Sequence, residues 1–162
     1  MLEGKNLLVS LTKAESMQCV VLGGARRIQS KFKGERDSHG MRGVGAWDND
    51  IEGAMCEMAM AKLMGVYFDP TVGTYKGADL GEKIQVRGTS YKGGKLIVRE
   101  NDAEDEIFVL MVKAFPRFRL VGWMRGADAR RDAWFEDGGN KRPKAWFVPQ
   151  AELHPFPLPK DA

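Results

Sequence analysis

Within the stretch Asp79-Leu80-Gly81-Glu82-Lys83-Ile84-Gln85-Val86-Arg87, a carboxylate, an amide oxygen and a guanidinium fall close together. Carboxylate and amide oxygens are hard donors that suit Mg²⁺ or Mn²⁺. A guanidinium grips phosphate in a fixed fork. A fourth group comes from further back in the chain. Glu57 and Lys62 are the only charged residues between Ala54 and Met64. No basic residue stands three or four positions from Glu57 to pair with it inside a helix. A carboxylate in such apolar surroundings is costly unless a metal ion or a facing cation compensates it. The alternative is that Glu57 points out through a gap between elements.

Holding these groups requires particular elements. Thr12-Lys13-Ala14-Glu15 reads as a capping box that opens a helix. Met17, Val20, Val21, Gly24 and Ile28 follow at helical spacing. Arg26, Arg27, Lys31, Lys33 and Arg36 gather towards its end, either as cations suiting the helix dipole or as an arm that contacts phosphates. Gly23-Gly24 bends this helix or admits a close neighbour. Residues 34–48 read as a charged, glycine-rich loop. Asn49 or Asp50 then caps a second helix, apolar nearly all round and therefore buried, which stops at Gly65.

Beyond residue 82 the period changes to that of strands. Ile84 and Val86 share one face of a strand, and Gln85, Arg87 and Thr89 the other. Gly81-Glu82 supplies a turn that sets Asp79 at a strand end. Further strands are expected at Leu96–Val98, Ile107–Val112, Arg117–Arg125 and, on an edge, Ala145–Val148. Their spacing suggests consecutive antiparallel pairing. A short helix or turn follows Gly126. Residues 1–148 are expected to form one domain and 149–162 an irregular proline-rich tail.

Other chemistry is weaker. His39 is a lone loop histidine with no partner to orient it as a base. Asp69 could replace Asp79 as a ligand, or merely make a turn before Pro70. Asn101-Asp102-Ala103-Glu104-Asp105-Glu106 lacks calcium-loop spacing and reads as a solvated turn. Gly73-Thr74-Tyr75-Lys76-Gly77 is not a nucleotide-binding loop. Cys19 and Cys56 belong to no CxxC pair, which argues against zinc.

With 162 residues, 43% hydrophobic and 29% charged, the chain can bury a core without staples and is not disordered as a whole. A net charge of +3 admits a nucleic-acid partner without demanding one. Two thiols outside any disulfide framework suit the cytoplasm. The N-terminus shows no signal-peptide pattern, and no stretch approaches a membrane span. Arg117, Phe118, Arg119, Trp123, Arg125, Arg130, Arg131 and Trp134 interleave basic and aromatic side chains, a mixture that grips phosphates and stacks bases.

The segments Gly53–Ala59 with Lys62 and Gly65, Gly77–Gly81 and Ile84–Ser90 resemble the PD-(D/E)xK nuclease superfamily, over roughly residues 50–125. That family sets a helix acid, an Asp and a Glu/Gln-x-Lys strand around a metal. The chain also looks like small bacteriophage proteins with this core. The resemblance implies an α/β (α+β) fold, a restriction-endonuclease-like core with a central mixed β-sheet flanked by helices. It implies metal-dependent hydrolysis of DNA at Glu57, Asp79, Gln85 and Arg87, with Mg²⁺ (or Mn²⁺) on Asp79, Gln85, the Val86 carbonyl and Glu57. Arg26, Arg27, Lys31, Lys33, Arg119 and Arg125 would hold the nucleic acid, and a homodimer would fit cutting of two strands. Two departures stand out. Gln85 replaces the commoner glutamate and removes a charge. Arg87 replaces lysine and cannot act as a base. Both also suit a silent binding or interaction domain on the same fold. A third reading makes Glu57, Asp79 and Arg87 a purely structural ion cluster.

Overall fold

The computed structural model describes residues 2–34, 44–72, 78–139 and 142–159. The chain opens with two short strands, β1 (Leu2–Gly4) and β2 (Leu7–Ser10). Helix α1 (Lys13–Phe32) starts at the expected capping box, with the Thr12 hydroxyl accepting from Glu15 N–H and the Glu15 carboxylate accepting from Thr12 N–H. Helix α2 spans Val44–Met64 and ends at Gly65, whose positive φ of 65° suits a residue without Cβ. Strands β3 (Ile84–Thr89), β4 (Leu96–Val98), β5 (Ile107–Ala114) and β6 (Arg117–Arg125) follow. The single turn α3 (Gly126–Ala129) leads to β7 (Phe135–Glu136), β8 (Ala145–Val148) and β9 (Phe156–Leu158).

The central sheet has four strands in the order β2-β6-β5-β3, and it is mixed. β5 and β6 form an antiparallel hairpin, whereas β3 runs parallel to β5 with Val86 opposite Val109. The expectation of consecutive antiparallel strands is therefore corrected. A parallel pair needs a crossover. The crossover here contains β4, which leaves the main sheet to pair with β8 in a second sheet, β4-β8-β7.

Two further expectations change. α2 begins at Val44, not at a cap on Asn49 or Asp50. Asp50 lies inside the helix, where its carboxylate accepts from Arg27 Nε of α1. The proline-rich tail is not irregular, since Phe156–Leu158 pairs with β1. Pro157 is tolerated because a two-stranded ribbon is all edge. Phe156 and Leu158 are buried in the same core as the two helices.

The alternation along β5 divides the core. Val109 and Met111 face the helices, together with Phe118 and Leu120 of β6. Phe108, Leu110 and Val112 face the other way, against Leu96, Val98 and Val148 of the second sheet. α1 and α2 cross closely at Gly23, where an added Cβ would lie 2.5 Å from the Ile51 Cα. α2 also packs against β3, where a Cβ on Gly88 would meet the Cys56 Sγ at 2.9 Å. No helix among the described residues is long and apolar enough to cross a membrane.

Candidate active site

The helix pair fixes the first half of the site. Glu57 is only 7% exposed, and the cation that compensates it comes from α1. Arg26 Nη1 and Nη2 donate to Glu57 Oε1 and Oε2 at 2.8 and 2.9 Å, while its Nε donates to the Thr71 carbonyl. The facing cation is thus Arg26, which the sequence reading placed among nucleic-acid contacts. Its neighbour Arg27 is 8% exposed and donates through Nε to Asp50 and through Nη2 to the Ala46 carbonyl.

β3 fixes the second half. Its residues 83, 85, 87 and 89 turn their backbone groups towards β5, as the bond from Ile107 N–H to the Lys83 carbonyl shows. Residues 84, 86 and 88 turn theirs to the unpaired edge. Asp79 lies on that edge. The tight turn at Gly81, with φ of 59°, brings Leu80 back onto Ile84, and Asp79 Oδ2 accepts the Val86 N–H at 2.6 Å. A strand residue sends its N–H and C=O to the same side, so the Val86 carbonyl faces the same edge.

Burial pushes the Asp79 carboxyl up to about 7, and the charge of Glu57 adds to this. The Val86 N–H, Arg87 and Arg26 act in the opposite sense without cancelling it. A shift of that direction marks two carboxylates sharing a poorly solvated space. Groups of this kind cluster at functional sites.

Gln85 and Arg87 stand on the other face of the sheet. Ile84 and Val86 pack on the helix-side core, so the alternate residues must point away from α2. Gln85 Nε2 donates to Glu106 Oε1 at 3.2 Å. Arg87 Nη2 donates to Asp102 Oδ1 at 2.8 Å, with its guanidinium over the Phe108 ring. Asp102 Oδ2 accepts the Arg99 N–H, and the Asp102 carbonyl accepts from Arg130 Nη2. Arg130 also lies over the Trp146 ring at 4.7 Å. Asp102 is therefore an anchor for two arginines, not a solvated turn residue. No local signal could reveal it, because Arg87 and Arg130 lie 15 and 28 residues away.

The remaining candidates are dispersed. Lys31 of α1 lies over the ring of Trp47 of α2, and Lys33 caps α1. Arg119 donates to Asn6 and to the Lys92 carbonyl. It sits opposite Val112, whereas Arg125 sits opposite Ile107 at the other end of β5. Asp69 is exposed after α2. Arg36 and His39 fall outside the described residues. Both thiols are buried, and burial pushes Cys19 up to about 11 and Cys56 up to about 12, which leaves them unionised at neutral pH.

The oxygens on the helix side define what ion they suit. Among the described residues no three His, Cys, Asp or Glu side chains gather into a metal cage. Mg²⁺ does not need one, since it keeps several waters and binds through one or two carboxylates. Asp79 and the Val86 carbonyl are the oxygens this edge could offer a hydrated cation, whereas both Glu57 oxygens are taken by Arg26. Gln85 is not part of that set. The chain matches no protein-family model, no curated protein and no solved structure.

Proposed function

We propose that the chain is a nuclease-like domain on a restriction-endonuclease-like core, acting on DNA phosphodiesters with Mg²⁺ or Mn²⁺ at Asp79. The observation that carries this reading is the convergence on Asp79. Its carboxylate is bonded to the Val86 N–H and lies in the fields of Glu57, Arg26 and Arg87. These groups come from three separate elements. When bound, the cation would polarise a phosphate oxygen and lower the pKa of a bound water. The protein's own part is positional. Asp79 offers its carboxylate at the sheet edge and releases a proton near neutral pH to do so. Arg26 holds Glu57 in one orientation. Arg87, on the other side of β3 and bonded to Asp102, acts on Asp79 only through its charge.

One observation favours a second reading, a silent nucleic-acid-binding or protein-interaction domain. Arg26 already takes both Glu57 oxygens, and Asp102 already takes Arg87. The test is calorimetry with Mg²⁺ and Mn²⁺ on wild type and Asp79→Ala, followed by cleavage assays on mixed DNA substrates. The nuclease reading expects metal binding and metal-dependent cutting, both lost in the variant. Absence of binding up to millimolar metal would leave the silent reading.

A further inference from the structure

The exposed apolar surface of this chain is concentrated on one side. Of the exposed large apolar side chains among the described residues, only Leu8, Tyr91 and Phe115 lie away from α1 and residues 66–72. On α1 the buried residues Ser16, Cys19, Leu22, Gly23 and Arg27 turn inwards. Met17, Val21, Ile28 and Phe32 form a stripe on the opposite side, with Val21 73% and Phe32 90% exposed. Beside the stripe runs a groove of about 910 Å³ between α1 and residues 66–72, walled by Val21, Ala25, Val66, Tyr67 and Val72. Tyr67 is itself 85% exposed. The Glu15–Lys62 ion pair rims the groove. A contiguous apolar patch with a polar rim marks an interaction site.

The pattern of the stripe indicates what covers it. Met17, Val21, Gly24, Ala25, Ile28 and Phe32 are symmetric about the Gly24–Ala25 peptide. Laid antiparallel on an identical helix, Met17 meets Phe32, Val21 meets Ile28 and Gly24 meets Ala25. Each contact then occurs twice, as a two-fold interface requires. The two smallest residues fall at the crossing, where backbones come closest. A Cβ on Gly24 would meet only Trp47, at 4.0 Å. No charged side chain interrupts the stripe. The exposed apolar side chains of α1 and residues 66–72 offer roughly 800 Å² per copy, which is what one partner of a stable dimer buries.

We propose that α1, through this stripe and the adjoining groove, docks antiparallel on α1 of a second copy of this chain. The inference stands apart from the nuclease reading, since none of these residues belongs to the Asp79 centre. Val21 is exposed, so Val21→Glu should leave the monomer fold intact, which circular dichroism verifies. Sedimentation equilibrium of the full chain between about 1 and 100 µM should show a dimer, weakened at least about a hundredfold by Val21→Glu. Ala25→Cys should form a symmetric disulfide under mild oxidation, because its two copies come within about 7 Å. Gly93→Cys, on a distant exposed turn, should not. A wild-type monomer throughout that range would overturn the proposal and assign the face to a different partner. A dimer indifferent to Val21→Glu, or equal cross-linking at position 93, would overturn it as well.

Discussion

The two sides of β3 are built from the same residue types with different balances. On the helix side, one arginine faces two acids: Arg26 is bonded to Glu57, and Asp79 lies in the field of both. On the far side, two arginines meet two acids: Asp102 receives Arg87 on its carboxylate and Arg130 on its carbonyl, and Glu104 Oε1 lies 3.7 Å from Arg130 Nε. The first cluster is short of positive charge and raises an acid's pKa. The second is balanced in charge, yet it leaves the Nε atoms of Arg87 and Arg130 buried without hydrogen bonds. A single edge strand thus separates a cluster with an acid left without its own cation from one with guanidinium donors left unbonded.

The sharpest way to break this contrast is to remove Glu57. Glu57→Ala leaves Arg26 without its partner in a largely buried position, and a cost of about 3 kcal/mol in urea unfolding is expected. Asp79 should respond in the same variant. Loss of the Glu57 charge lowers its pKa from about 7, though not to the ordinary aspartate value, because burial is the larger cause. Carboxyl ¹³C titration reads this directly. An unmoved Asp79 would show that the two acids do not share one site.

Asp79 itself gives the next largest effect. Its folded pKa of about 7 stands above the ordinary 3.8, so the fold favours the protonated form. The associated stability is fully present below the unfolded pKa and is lost as pH rises through about 7. Asp79→Asn mimics the protonated state and keeps an acceptor for the Val86 N–H. At pH 8 the variant should exceed wild type by on the order of 2–4 kcal/mol, a difference that shrinks towards pH 4. Millimolar Mg²⁺ should narrow the gap at pH 8 by stabilising wild type alone. Parallel pH profiles for the two proteins would remove Asp79 from the account.

What the sequence disclosed follows the range of each interaction. The Thr12–Glu15 capping box, the Gly65 stop and the limits of β6 were legible because each is set within a few residues. The face assignment of Gln85 and Arg87 was legible too, but its consequence was missed. An apolar α2 must cover the apolar side of β3, namely Ile84 and Val86, so Glu57 could not share a face with Gln85 and Arg87. The parallel pairing of β3 with β5 depends on a crossover that pairs elsewhere, and nothing local records it. Arg26 and Glu57 are 31 residues apart. Asp102 sat in an acidic run whose solvated look concealed the arginines that fold onto it.

The smallest expected effects test the far side. Arg87→Ala and Arg130→Ala each remove one phosphate-binding candidate next to Asp102. On the proposed reading each should weaken DNA binding about tenfold at low salt and reduce the salt slope by roughly one. The stacking of Arg130 on Trp146 adds a discriminating step. Arg130→Lys keeps the charge but loses the planar fork. If Arg130 acts only as a charge, the lysine variant should match wild type. If the guanidinium must lie flat on Trp146 to face the phosphate, it should resemble alanine. Asp102→Asn completes the comparison. Freed of its counter-charge, the arginine pair should bind DNA more tightly while the protein becomes less stable. Binding that weakens instead would mean that Asp102 is needed to aim the two arginines.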